Sequence, residues 1–205
     1  MKKILLLVVG LITSQAFAQF TLSGELRPRA EYRNGYKTLT ADNSEAALFV
    51  SQRTRINSQF VSENYTFFVS VQDVRVWGDV PQLNTSDLNG LAIHEAWGQI
   101  KFSSDFGVKL GRQEIIYDDS RIFGNVGWAQ QARSHDVALI KFESDVKLHF
   151  GIAHHENSNI TNNLFDGPDA YKDLQFLWFN KTWDKNSISL LALNNGVPVM
   201  EGNNQ

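Results

Sequence analysis

The chain has no cysteine and only four prolines among its 205 residues. The lack of cysteine excludes disulfides and thiolate metal sites. Its 19 basic and 22 acidic residues give a net charge of −3, and this mild acidity argues against a nucleic-acid partner. The sequence also lacks a serine nucleophile elbow, a phosphate-binding loop and a zinc signature, so neither an enzyme nor a cofactor is expected.

Two short runs place histidine next to an acid, His94-Glu95 and His154-His155-Glu156. Neighbouring residues of a β-strand point to opposite faces, so a strand would not aim both members of such a pair at one ion. No metal site is therefore expected at either run.

Long apolar runs are also rare, and the one at the N-terminus, residues 4–12, is too short to span a bilayer as a helix. Lys2 and Lys3 precede it, and the small-residue site Ala16-Phe17-Ala18 follows it. This order predicts a signal peptide over residues 1–18 and a mature β-domain over residues 19–205. A retained N-terminal anchor is the alternative.

The sequence does contain repeated alternation of polar and apolar residues. In residues 20–32, charged and polar residues occupy the odd positions, and apolar or small residues occupy the even positions. This period of two predicts β-strands and an all-β fold. Nine such segments occur: 20–32, 48–61, 65–77, 91–102, 106–117, 136–142, 146–154, 173–183 and 187–193.

The connections between these segments alternate between short and long. Short links follow the second, fourth, sixth and eighth segments, and much longer links follow the first, third, fifth and seventh. This pattern is typical of outer-membrane barrels, which have short periplasmic turns and long extracellular loops. Aromatic residues flank the short links, as expected at a membrane interface. These aromatics are Phe60, Tyr65, Phe102, Phe106, Phe142 and Trp183.

The favoured fold is therefore an antiparallel transmembrane β-barrel in the outer membrane, with its apolar face towards lipid and its polar face towards an aqueous lumen. Single-chain bacterial barrels have even strand numbers, so nine strands suggest an incomplete barrel. Two alternatives stay open: a soluble periplasmic or secreted β-sandwich that binds carbohydrate, and a non-functional fragment of a porin gene.

Residues 109–136 carry the most specific motif. They resemble the alginate-export family of outer-membrane β-barrels, and the likeness extends over about residues 20–142. The matching positions are Gly111, Arg112, Gln113, Tyr117, Asp118, Asp119, Arg121, Gly124, Trp128, Arg133, Ser134 and Asp136. The resemblance implies a porin that passes anionic oligosaccharides or small anions, with outer-membrane lipid and the barrel-assembly machinery as partners.

Arginines are expected to line the lumen, because guanidinium groups stay charged and bind carboxylates in a planar fork. The candidate path residues are Arg27, Arg29, Arg53, Arg55, Arg75, Arg112, Arg121 and Arg133. Six acids are expected to position them: Glu25, Glu31, Asp73, Asp118, Asp119 and Asp136. Tyr117 and Trp128 are candidate loop aromatics, and Gly111 predicts a bulge or a close backbone approach. Alternatively, arginine–acid ladders fill narrow barrels without any channel.

Overall fold

The structure is a computed structural model that describes residues 19–35, 39–40, 43–83, 90–154 and 171–197. The predicted signal peptide, residues 1–18, lies outside this part of the chain, as do His155 and Glu156. Within the described ranges, no helix has the length and apolar character needed to cross a membrane.

Nine β-strands follow one another along the chain, each built from a segment of alternating polar and apolar residues. They are β1 (Gln19–Arg33), β2 (Ala47–Val61), β3 (Tyr65–Val76), β4 (Ala92–Lys101), β5 (Phe106–Gln113), β6 (His135–Glu143), β7 (Val146–His154), β8 (Asp173–Trp183) and β9 (Asn186–Gly196). The nine segments predicted from the alternation are thus confirmed, with bounds that differ by a few residues.

The strands form one antiparallel sheet in the order β1 to β9, so each strand pairs with its neighbours in the sequence. The prediction of an all-β antiparallel fold is confirmed. The described residues form one sheet, which contradicts the alternative of two sheets packed as a sandwich. Within the described ranges β1 and β9 are not paired, so these nine strands do not close into a barrel. Strands β1 and β9 run in the same direction because strand direction alternates along the order.

Short and long connections lie at opposite ends of the sheet. The short turns are residues 62–64, 102–105, 144–145 and 184–185. The long loops are residues 34–46, 77–91, 114–134 and 155–172. Because the sheet is a simple meander, the strand ends that the four short turns join lie at one end of the sheet, and the strand ends that the four longer connections join lie at the other, as the segment spacing predicted.

The two faces of the sheet have opposite polarity. The face that carries Arg53 and Arg55, named the inner face, buries these side chains to 5% and 9% exposure. The opposite or outer face leaves Leu26, Ile56 and Phe67 between 55% and 68% exposed. In water this arrangement would be unfavourable, because each exposed apolar side chain loses the roughly 1.5–3 kcal/mol of favourable free energy that its burial would give. It suits a sheet whose outer face contacts lipid.

The apolar part of the outer face is bounded at both ends. At the short-turn end, aromatic rings pack in pairs: Phe60 with Tyr65 at 5.8 Å and Phe102 with Phe106 at 5.7 Å between ring centroids. Nearer the long loops, ionisable side chains replace apolar ones at the outward positions. These are Asp73, Arg75, Arg112, Asp136, His154 and Asp173.

Strand β5 ends at Gln113, earlier than the predicted end at Tyr117. The backbone N–H of Glu114 donates to a carboxylate oxygen of Glu95 at 3.0 Å instead of continuing the ladder, and the chain turns onto the inner face. Gly111, just before this point, has φ +118°, and a Cβ there would clash with the carbonyl oxygen of Ala96. This is the close backbone approach expected for that glycine.

Candidate functional site

Four arginines of β1 and β2 lie together on the inner face. Arg27 is directly opposite Arg53, and Arg29 and Arg55 occupy the next positions of the same face on their strands. Arg53 and Arg55 are buried, and buried guanidinium groups need partners. Those partners come from nearby acids and from the loop that joins β5 to β6.

Two acids of β1 hold these arginines in place. A carboxylate oxygen of Glu25 lies 2.6 Å from Nη2 of Arg53. Glu31 is held between two guanidinium groups, with one oxygen 2.7 Å from Arg29 and the other 2.7 Å from Arg33. Both acids therefore lie where arginine-positioning residues were expected.

The loop between β5 and β6, residues 114–134, folds back over the inner face. Its segment 125–133, named the tongue, closes on itself because the N–H of Arg133 donates to the carbonyl oxygen of Asn125 at 2.7 Å. The tongue covers β1 and β2. The preceding part of the loop packs on the same face of the sheet, over β6 to β8.

Backbone carbonyl oxygens of the tongue accept hydrogen bonds from Arg27, Arg29 and Arg53. Arg27 donates to the carbonyls of Gly127 at 2.5 Å and Ala129 at 2.8 Å. Arg29 donates to the carbonyl of Trp128 at 2.6 Å. Hydrogen bonds from a charged donor are stronger than neutral ones, so these contacts hold the tongue against β1.

One side chain of the tongue adds to this backbone contact. Gln130 is 4% exposed, and its Oε1 accepts from Nε and Nη2 of Arg27 at 3.0 and 2.8 Å. Its Nε2 donates to Oγ of Ser51 at 3.0 Å, and its carbonyl accepts from Arg53 at 3.3 Å. Gln130 therefore joins the tongue to both β1 and β2.

Glu114 connects the base of the tongue to the arginines. One carboxylate oxygen lies 2.7 Å from Nε2 of His94 and 3.8 Å from Arg55, and the other accepts from Nδ2 of Asn125 at 2.7 Å. Burial alone would raise the pKa of Glu114. The hydrogen bonds from His94 and Asn125, with the positive charge of Arg55, outweigh burial and leave the pKa below its ordinary value.

His94 and Glu95 reach the same side of the sheet, so the expectation that these neighbours face opposite sides is wrong. The register of β3 and β4 shifts between Ser70 and Val71, and this β-bulge lets both side chains approach Glu114. The ligand atoms of His94, Glu95 and Glu114 lie within 4.8 Å of one another.

This cluster is surrounded by positive charge. The negative charges of Glu95 and Glu114 attract the guanidinium group of Arg55 and the ammonium group of Lys109. The ammonium group of Lys109 lies 3.7 Å from the ring centre of Trp97. The two cations balance the two carboxylates. The cluster is therefore best interpreted as an ion-pair network that fixes the base of the tongue.

The first part of the loop is held by apolar contacts. Ile115 and Phe123 are 2% and 6% exposed, and Phe123 packs on Phe176 of β8 with 4.7 Å between ring centroids. Tyr117 stacks on Trp178 of the same strand at 4.4 Å and 17°. A small apolar core thus lies between the loop and β6–β9.

Tyr117 and Asp118 also make polar contacts there. The hydroxyl of Tyr117 lies 2.8 Å from Nδ1 of His149, and burial together with the charge of Glu143 raises the pKa of Tyr117. A carboxylate oxygen of Asp118 accepts from the indole N–H of Trp178 at 3.1 Å. Asp118 therefore holds a tryptophan and not an arginine.

Two predicted path arginines are not brought to the inner face. Arg53 is opposite Val74, so Arg75 points outward and pairs with Asp73 at 2.6 Å. Arg112 shares the outward register with Asp136, and the two groups lie 2.7 Å apart. The prediction placed these residues by type, whereas the strand register decides the face.

The remaining predicted residues lie in the loop itself. Arg121 pairs with Asp119 at 3.1 Å, and both side chains are largely exposed. Arg133 is exposed and closes the tongue through its backbone. Trp128 is 73% exposed, and its hydrogen bond from Arg29 is accepted by its backbone carbonyl.

An open cavity of about 370 Å³ lies between the tongue and β1–β3. Its wall includes Arg29, Glu31, Arg33, Ser51 and Trp128. The volume lies within the range of small-molecule sites, and the wall offers charged groups of both signs beside one indole ring.

The model of the alginate export family matches residues 18–152, which is most of the chain. The chain belongs to the alginate export family. This is a family of outer-membrane β-barrel porins, which are transport channels and not enzymes. The match to the alginate export family runs from β1 into β7 and includes the inner-face arginines and the whole tongue. A comparison with curated protein sequences finds no match.

Sequence reasoning missed Glu114 and Gln130, two residues that fix the tongue. Glu114 directly follows the motif Gly111-Arg112-Gln113, and this position was the available signal. Gln130 lies in an irregular segment, where no periodicity indicates the direction of a side chain.

Proposed function

We propose that this chain forms the arginine-bearing wall of an outer-membrane export channel for acidic polysaccharides of the alginate type. Arg27, Arg29, Arg53 and Arg55 bind the uronate carboxylates in turn, through planar pairs of N–H donors. The channel prefers anions to cations and uses neither a cofactor nor covalent chemistry.

The opposite polarity of the two faces carries this proposal. Arginines and their partner acids lie on the inner face, and exposed leucine, isoleucine and phenylalanine side chains lie on the outer face. Only a surrounding of lipid outside and water inside satisfies both faces at once. The family supplies the substrate class, and the clustered guanidinium groups are the chemistry that such a substrate requires.

The acids among the arginines have a role in this proposal. Glu25 and Glu31 pair with Arg53 and Arg29, and their negative charge weakens the attraction of these guanidinium groups for an incoming carboxylate. Conduction requires binding that is strong enough for entry and weak enough for release. We infer that the acids keep each arginine site at that intermediate affinity.

The proposal places the protein in the outer membrane of a Gram-negative envelope. The predicted signal peptide directs export, the barrel-assembly machinery inserts the chain, and lipid covers the outer face. The aromatic pairs near the short turns lie at the periplasmic interface in this orientation.

Ion selectivity in planar lipid bilayers tests the proposal. Under a salt gradient, the purified protein should give a reversal potential that favours chloride over potassium. The double variant Arg53→Gln/Arg55→Gln should lose most of this preference, because it removes two inner-face charges. The matched variant Arg75→Gln/Arg112→Gln removes two outer-face charges and should keep it. A native channel that prefers cations, or a selectivity unchanged in the first variant, would contradict the proposal.

A further inference from the structure

The arginines that the proposed function assigns to uronate carboxylates are already in contact with the tongue. Arg27 and Arg29 donate to three consecutive tongue carbonyls, at Gly127, Trp128 and Ala129. A neutral carbonyl accepts a weaker hydrogen bond from guanidinium than an ionised carboxylate does. A carboxylate of the substrate is therefore a stronger ligand than the group that it would replace.

The tongue is built as a separate unit with a fixed base. Its ends are joined by the hydrogen bond from Arg133 to Asn125, and Nδ2 of Asn125 is held by Glu114. None of these three groups belongs to the inner-face arginines. The tip can therefore leave β1 and β2 while the base keeps its contacts.

The seated tongue also stores backbone strain. Val126 and Ala132 flank the contacting residues, and both adopt left-handed backbone conformations, with φ of +51° and +56°. Such values are unfavourable for residues other than glycine, and especially for a β-branched valine. The arginine contacts hold this conformation in place, so strain favours release once a competitor occupies the arginines.

Arg55 offers a further donor beside the tongue. Its Nε donates to Gln72, whose amide in turn donates to the carbonyl of Gln131 in the tongue. Among the described residues, Nη2 of Arg55 is buried and has no hydrogen-bond partner. A carboxylate that enters beneath the lifted tongue would satisfy this donor.

We propose that the tongue occupies the arginine sites when no substrate is bound. A uronate chain then opens the path by displacing the tongue carbonyls from Arg27, Arg29 and Arg53. This inference rests on the proposed function, because it assigns the same arginines to the same carboxylates. The apolar part of the loop, anchored by Phe123 and Tyr117, stays in place during the exchange.

Distances between spin labels test the displacement directly. The chain has no cysteine, so labels at Ala129→Cys in the tongue and Ser104→Cys in a short turn have no background. Double electron–electron resonance in lipid nanodiscs should show a new distance population when a guluronate hexasaccharide is added. Maltohexaose, a neutral oligosaccharide of equal length, should leave the distance unchanged. The control pair Asp119→Cys/Ser104→Cys should not respond to either sugar.

Two variants of Val126 test the strain. Val126→Gly removes the penalty for the left-handed conformation and should raise the guluronate concentration needed for half displacement by about tenfold. Val126→Ala shortens the side chain but keeps a Cβ, so its midpoint should lie much nearer to that of the parent protein. Equal midpoints for all three proteins would overturn the role of strain.

Calorimetry with the same hexasaccharide separates this inference from the proposed function. Guluronate that binds, and that loses affinity in Arg53→Gln, without changing the distance between residues 129 and 104 would overturn the displacement and leave the proposed function standing. Equal displacement by maltohexaose would overturn the role of the carboxylate. The absence of guluronate binding in the native protein would overturn both.

Discussion

The two parts of the loop over the inner face are held by different physical forces. In residues 115–123, Tyr117 and Phe123 pack against aromatic rings of β8, and Ile115 belongs to the same apolar core. Residues 125–133 contact β1 and β2 through hydrogen bonds from arginines and one buried glutamine. The contact of residues 115–123 depends on how their side chains pack, whereas the contact of the tongue depends mainly on its backbone carbonyls.

This difference suits an anchor on one side and an exchangeable contact on the other. Apolar packing has no soluble competitor, so the first part of the loop stays attached at all ligand concentrations. The tongue carbonyls do have a competitor, because a carboxylate in solution can replace them as the hydrogen-bond acceptor of a guanidinium group. A loop held in both ways can open at one end without detaching from the sheet.

The largest effect is expected from a substitution in the apolar anchor. Phe176→Ala should lower the free energy of unfolding by about 3–5 kcal/mol, because it leaves a cavity beneath Phe123 and Tyr117. Urea titration in lipid vesicles measures this change. Phe150→Ala, on the outer face of β7, is the matched control and should cost less, since lipid chains can fill the space. Equal losses would show that the loop does not pack on β8.

A smaller effect is expected from the polar contact. Arg53→Met should lower the free energy of unfolding by about 2 kcal/mol, because Glu25 and the tongue lose a charged donor. Arg53→Lys should recover part of this loss. In the same titration, an Arg53→Met protein as stable as the parent would show that the contact does not hold the tongue.

Acid should loosen the base of the tongue through Glu114. Its pKa in the folded protein is lowered, so its contribution to stability is complete above the unfolded pKa of about 4.3 and is lost as the pH falls through the folded value. Glu114→Gln should therefore flatten the dependence of stability on pH in this acidic range. Glu63→Gln, in an exposed turn, should keep the native dependence. Identical acid profiles for the native protein and Glu114→Gln would contradict this assignment.

The smallest effect on stability is expected from a substitution of Trp128, the only tryptophan of the tongue. Trp128→Ala should change stability by no more than about 0.5 kcal/mol, because the exposed ring makes no contribution to the hydrogen bond from Arg29. Thermal unfolding monitored by circular dichroism provides the measurement. A large loss would mean that the ring, and not the carbonyl, holds the tongue.

The sequence predicted the strands well because a period of two is a local signal. The nine segments and the order of short and long connections follow directly from it. Arg27, Arg29, Arg53 and Arg55 share one face of the sheet because each continues the polar face of its own strand, and their role as path residues stays a prediction.

Features that depend on several elements were less predictable. Arg75 and Arg112 lie outward because pairing with the neighbouring strand sets the face of each residue. The bulge that unites His94 with Glu95 arises from a register shift against β3. The position of the Gln130 side chain depends on its contact with Ser51, a residue far away in the sequence, and no local pattern predicts such a contact.

Consecutive spin labels along β1 test most directly which face of the sheet contacts lipid. Labels at positions 21 to 26, one at a time in lipid bilayers, can be probed with oxygen, which partitions into lipid, and with a water-soluble nickel complex. Labels at positions 22, 24 and 26 should be accessible mainly to oxygen, and those at 21, 23 and 25 mainly to nickel. The reverse alternation, or no alternation, would contradict a water-facing arginine wall.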